Sequence, residues 1–255
     1  MSTDAMRVFA GECTVDYRDA TLERRERGHV VVLCKPDNTL LVHDPDGYRP
    51  VAWLTRPAEL SVTTDPTGFT IEAVDDDRRL SVSTHVEHGR GQYPASAVGE
   101  PIGTCPECAG TLIRADRTVT CLGCGTRYGL PADAELLEAT CEDCGLPRMR
   151  VERGAVFELC IDRGCEPLDV AVAERFDGAW TCPDCAGDLR IRRRGTLLAG
   201  CERYPACETG FVIPHGTVDG DCSTCGLPAF ATPSGRQCLD ATCPGDAELG
   251  DIRSA

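Results

Sequence analysis

Lysine is nearly absent from this chain: Lys35 is the only one in 255 residues. Basic charge as a whole is short, with 26 Lys and Arg against 41 Asp and Glu and a formal net charge of −15. No apolar stretch approaches the roughly 20 residues needed to span a bilayer, so no transmembrane helix is expected. Nor does a positively charged, apolar segment open the chain, since Met1 to Arg7 is polar, and a secreted, disulfide-bonded protein is not the expectation. A cytoplasmic protein is. Cysteine is scarce before residue 98, where only Cys13 and Cys34 occur.

After residue 100 the scarcity reverses. Sixteen of the eighteen cysteines fall into four consecutive quartets, each opening with C-x2-C. They are Cys105, Cys108, Cys121, Cys124; Cys141, Cys144, Cys160, Cys165; Cys182, Cys185, Cys201, Cys207; and Cys222, Cys225, Cys238, Cys243. The two pairs of each quartet are separated by 12 or 15 residues, the span of a short β-hairpin. Four thiolates on two such turns supply the closed tetrahedral coordination of a structural zinc site, so Zn²⁺, about four per chain, is the expected cofactor. Rubredoxin-like iron is the alternative, because four-thiolate geometry alone does not separate the two metals. A closed site holds shape and has no position at which to activate water.

The length fits roughly two domains, and cysteine placement divides them unequally. Residues 1–98 read as a conventional apolar domain. The modules that follow, at 103–131, 139–168, 179–214 and 219–247, are each too short to bury an adequate core alone. They are expected to form a string of metal-nucleated units, each stabilised by about 10–16 kcal/mol of metal binding.

Within the first domain, residues 28–88 read as an antiparallel β-meander. Val30–Leu33, Leu40–Val42, Phe69–Ala73 and Leu80–Val86 are strand runs. Lys35-Pro36-Asp37-Asn38, Asp44-Pro45-Asp46-Gly47 and Asp65-Pro66-Thr67-Gly68 are turns, because Pro presets φ and Gly accepts positive φ. The predicted fold class is mainly β: a small half-open β-barrel followed by four tandem four-cysteine zinc modules. Cys13 and Cys34, which lack a C-x2-C partner, are expected to be buried apolar thiols.

Phe9-Ala10-Gly11-Glu12-Cys13-x-Val15-x-Tyr17, Lys35-Pro36-Asp37, His43 and Gly47-Tyr48-x-Pro50-Val51-Ala52-Trp53 together resemble the N-terminal domain of the NucS (EndoMS) mismatch endonucleases over about residues 7–90. The resemblance implies a partly open barrel that dimerises and holds splayed or single-stranded bases, with Trp53 in the base-stacking position and Tyr48 beside it. Ala52 stands where the family usually has Asn, and Ala20 where it has a DNA-contacting arginine; Arg24, Arg25 and Arg27 lie nearby. An exposed indole is a stacking platform, although an isolated tryptophan more commonly packs in a core. The family's nuclease domain carries an E-x-K metal cluster. Lys35 follows Leu33-Cys34, so that cluster has no counterpart here and the expectation is a protein that is not an enzyme.

The third quartet sits in Cys182-Pro183-Asp184-Cys185, Arg192-Arg193-Arg194-Gly195, Gly200-Cys201 and Tyr204-Pro205-x-Cys207. This segment resembles the four-cysteine fingers of type IA DNA topoisomerases, which implies contacts to single-stranded DNA through Arg192, Arg193, Arg194 and Tyr204. The second module has nearly the same spacing, and the first and fourth resemble generic zinc ribbons. His85, His88 and His215 are read as structural or surface residues, because each quartet is complete without them. The acidic, lysine-poor composition resembles that of proteins from salt-loving archaea, so acidity does not here exclude nucleic acid. The resulting expectation is a non-catalytic binder of single-stranded or distorted DNA in repair, replication or topology maintenance, a homodimer through its first domain, with replication or repair proteins as further partners and no membrane. A zinc-ribbon adaptor for other proteins, or an RNA-binding ribbon protein, is the alternative.

Overall fold

Alternation of apolar and polar residues builds the first unit around one long strand. β1 (Ala5–Arg18) buries Phe9, Cys13 and Val15 on one face. It pairs antiparallel along its length with β2 (Glu23–Cys34) on one side and β7 (Arg78–Pro94) on the other. β3 (Leu40–His43) and β4 (Ala52–Leu54) extend the sheet beyond β2; β6 (Gly68–Asp75) and β5 (Glu59–Asp65) extend it beyond β7. The seven strands run in the order β4-β3-β2-β1-β7-β6-β5, and β4 folds back against β7. The sheet curls without closing, giving a half-open barrel. Its core holds Val32, Leu40, Val42, Leu54, Ile71, Leu80 and Val82, with Phe9 and Phe69 in ring contact at 5.0 Å.

The computed structural model describes residues 5–244, so residues 245–247 of the fourth expected module and residues 1–4 of the first domain lie outside the described residues. The chain divides into two compact units, Met1–Ala97 and Val98–Ala255. The predicted strand runs and turns of the first unit are present, and Asn38 and Gly47 close their turns at φ 66° and 71°. One element of the reading is corrected. The unit is not a simple meander, because β1 enters between β2 and β7 and the link from β4 to β5 crosses from one sheet edge to the other. That pairing joins residues some 70 positions apart, such as Val15 with Val82, and local periodicity carries no record of it. Gly11 is required at the bulge beside β7: a Cβ there would lie 2.5 Å from the Val86 carbonyl oxygen.

In the second unit each module forms its own three- or four-stranded antiparallel sheet. The modules are not independent beads, however, because one continuous apolar core runs through all four, from Cys105 to Cys243. Met149, Ile161, Leu189 and Phe230 are among its most deeply buried members. Sharing resolves the size problem, since four segments too small for separate cores bury their apolar faces on one another. A nine-residue helix, α1 (Leu168–Phe176), joins the second and third modules and went unread in the sequence. It buries Leu168, Val172 and Phe176, one residue per turn. Phe176 stacks on Trp180 at 4.9 Å, and Trp180 meets Phe230 edge-on at 6.1 Å. The backbone also crosses modules: Gly154 N–H donates to Gly216 O at 2.8 Å and Val218 N–H to Gly154 O at 2.7 Å.

Candidate metal centres and nucleic-acid interface

Each C-x2-C pair is set by the same turn. The first cysteine's N–H is bonded to the carbonyl five residues on, as in Cys105 to Gly110 and Cys182 to Gly187, both under 3 Å. The residue after the second cysteine then turns left-handed: Ala109, Gly145, Ala186 and Gly226 have φ of 56°, 73°, 55° and 72°. The second pair comes from the far end of the hairpin. In all four quartets the sulfurs lie within 4.8 Å of one another. In the first quartet the closest pairs, Cys105–Cys124 at 4.0 Å and Cys108–Cys121 at 3.4 Å, bracket the edge of about 3.8 Å expected for a tetrahedron with Zn–S bonds near 2.3 Å.

The surroundings bias one or more sulfurs of each quartet towards thiolate. The Cys225 and Thr224 N–H groups hold the Cys222 thiol down at about 6, and the Thr126 hydroxyl, 3.2 Å away, with its N–H, does the same for Cys124. Burial pushes Cys160 and Cys238 the other way, so these quartets combine a sulfur held towards thiolate with one held towards thiol, which a bound cation would ionise. Cys13 and Cys34 are 0% and 1% exposed in the barrel core. Within the first unit, His85 lies 2.8 Å from the Thr14 hydroxyl, and His88 3.1 Å from His29.

At the mouth of the barrel the core stripe ends in polar groups. Val15 leads to Tyr17 two residues on, Leu80 back to Arg78, and β2 continues its inward parity to Arg24. These three, with Leu22, Val51 and Trp53, line a cavity of about 340 Å³. Ala52 and Leu54 are buried while Trp53 between them is 52% exposed. Arg24 donates to the Val51 carbonyl and pairs with Glu26 at 3.3 Å. The Tyr17 hydroxyl donates to Asp19 at 3.2 Å, and N–H groups of Thr21 and Leu22 hold that carboxylate below its usual range. Tyr48 is 83% exposed in the β3–β4 connection, under the Arg49 guanidinium at 5.4 Å, and does not line the cavity. Arg25 and Arg27 have the opposite parity and pair with Asp16 and Glu12 at 3.4 and 2.9 Å. Of Arg24, Arg25 and Arg27, it is thus Arg24 that lines Trp53's cavity, together with Arg78. Tyr17 was part of the sequence motif, whereas Arg78 was legible only by extending the strand alternation back past Leu80.

Strand alternation also separates the arginines of the third module. Asp188–Arg194 pairs with Thr196–Cys201, and Arg192 and Arg194 share one face of the hairpin. There they line a shallow groove with Tyr204, which is 51% exposed and lies 5.1 Å from the Arg194 guanidinium. Arg193 faces the other way, 3.7 Å from Asp169 of α1. Arg190 is enclosed by Asp177, Asp188 and Glu202 at 3.1–3.4 Å. Arg148 and Arg150 of the second module are likewise paired, with Glu166 and Glu152.

Residues 3–97 match the protein-family model for the endonuclease NucS N-terminal PH-like domain. Among curated proteins the chain is similar to DNA topoisomerase 1 of Methanothermobacter thermautotrophicus, 32% identical over 130 residues that cover 47% of this chain and 17% of the relative. It is also similar to endonuclease NucS of an Arthrobacter species, 29% identical over 104 residues, 35% of this chain and 45% of the relative. The chain thus spans less than half the length of either relative. Among solved structures it is similar to an EndoMS–dsDNA complex (TM-score 0.34, 20% identity, 41% of this chain and 44% of the other) and to a repair endonuclease from Pyrococcus abyssi (TM-score 0.32, 18% identity, 51% and 64%). Residues 3–97 therefore match a NucS N-terminal PH-like domain, and the four-cysteine region after it is similar to topoisomerase zinc fingers.

Proposed function

We propose that this protein binds DNA without cutting it, prefers single-stranded or distorted DNA, and holds four structural zinc ions. The half-exposed Trp53 at the rim of a cavity lined by Arg24 and Arg78 carries the reading. A base leaving its stack would find an aromatic face for its ring and guanidinium groups for the flanking phosphates. The Arg192–Arg194–Tyr204 groove supplies a second surface of the same composition on the third finger. Zinc is supported by the four-sulfur geometry, and its closed coordination assigns it a scaffold role. Binding without cutting is supported by the sequence, in which no E-x-K triplet occurs.

Fluorescence anisotropy with labelled single-stranded DNA, duplex DNA and RNA, across a KCl series, tests the reading. Single-stranded DNA should bind most tightly and retain measurable affinity in concentrated salt, because stacking is screened far less than phosphate attraction. Equal affinity for duplex defeats the preference. Stronger binding to RNA turns the platform towards RNA, and failure to bind any nucleic acid leaves the zinc modules as a docking surface for replication or repair proteins.

A further inference from the structure

The face of the third module that Arg193 occupies opens onto a cleft shared by three modules. Arg117 from the first module, Arg153 and Arg163 from the second, and Arg193 from the third line it together with His215. Its volume is about 320 Å³. The floor is apolar: Leu130, Met149, Leu168 and Leu197 all reach it from the shared core.

The charges are arranged, not merely crowded. Arg153 is the fixed member, with its side chain only 11% exposed, bonded to Asp133 at 2.6 Å, and with His215 Nδ1 at 2.9 Å. Asp133 also lies 3.1 Å from His215. Arg193 is tethered by Asp169. Arg117 and Arg163 have no carboxylate within ion-pair distance among the described residues. Two unneutralised guanidinium groups beside two anchored ones leave the cleft cationic on a chain whose formal net charge is −15. Guanidinium groups converging from several directions match the oxygens of a phosphate, and the apolar floor beneath suits a nucleoside.

We propose that this three-module cleft binds the phosphomonoester of a nucleotide. It is separate from the Trp53 cavity and lies on the opposite side of the Arg192–Arg194 strand from the Tyr204 groove. Because its arginines come from three different metal-nucleated segments, the cleft exists only where the modules are packed together.

Calorimetry on the zinc-loaded full chain tests it with four probes: thymidine 5′-monophosphate, thymidine, and dithymidine with and without a 5′-phosphate. The phosphorylated probes should bind about tenfold or more tightly than their unphosphorylated counterparts, the gain expected of charge-assisted bonds to one phosphate. Arg117→Ser combined with Arg163→Ser should remove that gain, and these exposed, unpaired side chains can be replaced without disturbing the core. Arg192→Ser with Arg194→Ser, on the other face, should leave the gain intact. The monophosphate binding as tightly as the phosphorylated dinucleotide identifies a free nucleotide as ligand; a clear preference for the dinucleotide identifies a nucleic-acid 5′ end. Phosphorylated and unphosphorylated probes binding alike, no binding of any probe, or full affinity in the Arg117/Arg163 variant overturns the proposal.

Discussion

A Cβ placed on Gly154 would lie 2.8 Å from the ring of Phe176, so the turn of the second module and the end of α1 are fitted to each other at a glycine. Gly154 also sits at φ 81° and carries the backbone bonds to Gly216 and Val218, which lead into the fourth module. Three constraints meet at one residue with no side chain.

Gly154→Ala should therefore destabilise the second unit by about 1–3 kcal/mol, combining left-handed backbone strain with a displaced aromatic ring. Thermal unfolding of the zinc-loaded protein, followed by near-ultraviolet circular dichroism, measures this. An unchanged transition means that the contact between these modules contributes little.

Zinc content by mass spectrometry should approach four ions per chain. Chelation should unfold residues 105–243 while the barrel, which has its own apolar core, persists. The two tryptophans report separately: Trp180, 8% exposed in the shared core, should shift to the red, whereas Trp53 is already half in water. Persistence of the Trp180 environment in metal-free, reducing buffer would falsify the zinc-scaffold reading.

Trp53→Ala should weaken single-stranded DNA binding by about 1–3 kcal/mol if one base stacks on the indole, with little effect on folding because the side chain is exposed. Arg192→Ala with Arg194→Ala should instead flatten the salt dependence and matter mainly at low salt. Unfolding of the barrel by the tryptophan change, with binding otherwise intact, rejects base stacking.

Sedimentation of the zinc-loaded chain at micromolar concentration should give a dimer of the 27.4 kDa subunit, as the NucS resemblance implies. A clean monomer shows that the family's dimer surface has not been carried over.

Cys34 and Cys13 should resist alkylation in the folded protein. Burial pushes the Cys34 thiol up to about 11, leaving roughly one molecule in a thousand as thiolate at pH 8. Burial, outweighing the Thr84 hydrogen bond, raises Cys13 as well. Rapid labelling of either under native conditions implies that the barrel opens far more readily than its packing indicates.

How much was readable beforehand follows the range of each interaction. The quartets were legible because C-x2-C turns are local and a fixed hairpin length brings the pairs together. The expected burial of Cys13 and Cys34 came from their lack of a C-x2-C partner, and Trp53, which the resemblance put in the base-stacking position, is half exposed between buried neighbours. α1 was missed because nine residues beginning three positions after a metal ligand show scarcely two turns of periodicity. The Arg192–Arg194 run was read as one patch, yet adjacent side chains on a strand point to opposite faces.

The sequence by itself therefore determined the class of each part: a strand-rich barrel, four four-thiolate modules and an acidic chain with its arginines concentrated. Those are consequences of composition, short spacings and turn chemistry. Tertiary packing decided which modules share a core, which arginines are neutralised by carboxylates and which remain free. It also decided that Arg117, Arg163 and Arg193 line one cleft although they are separated by tens of residues. Such juxtapositions arise only when chain segments distant in sequence bury their apolar faces together, and that is a property of the folded whole.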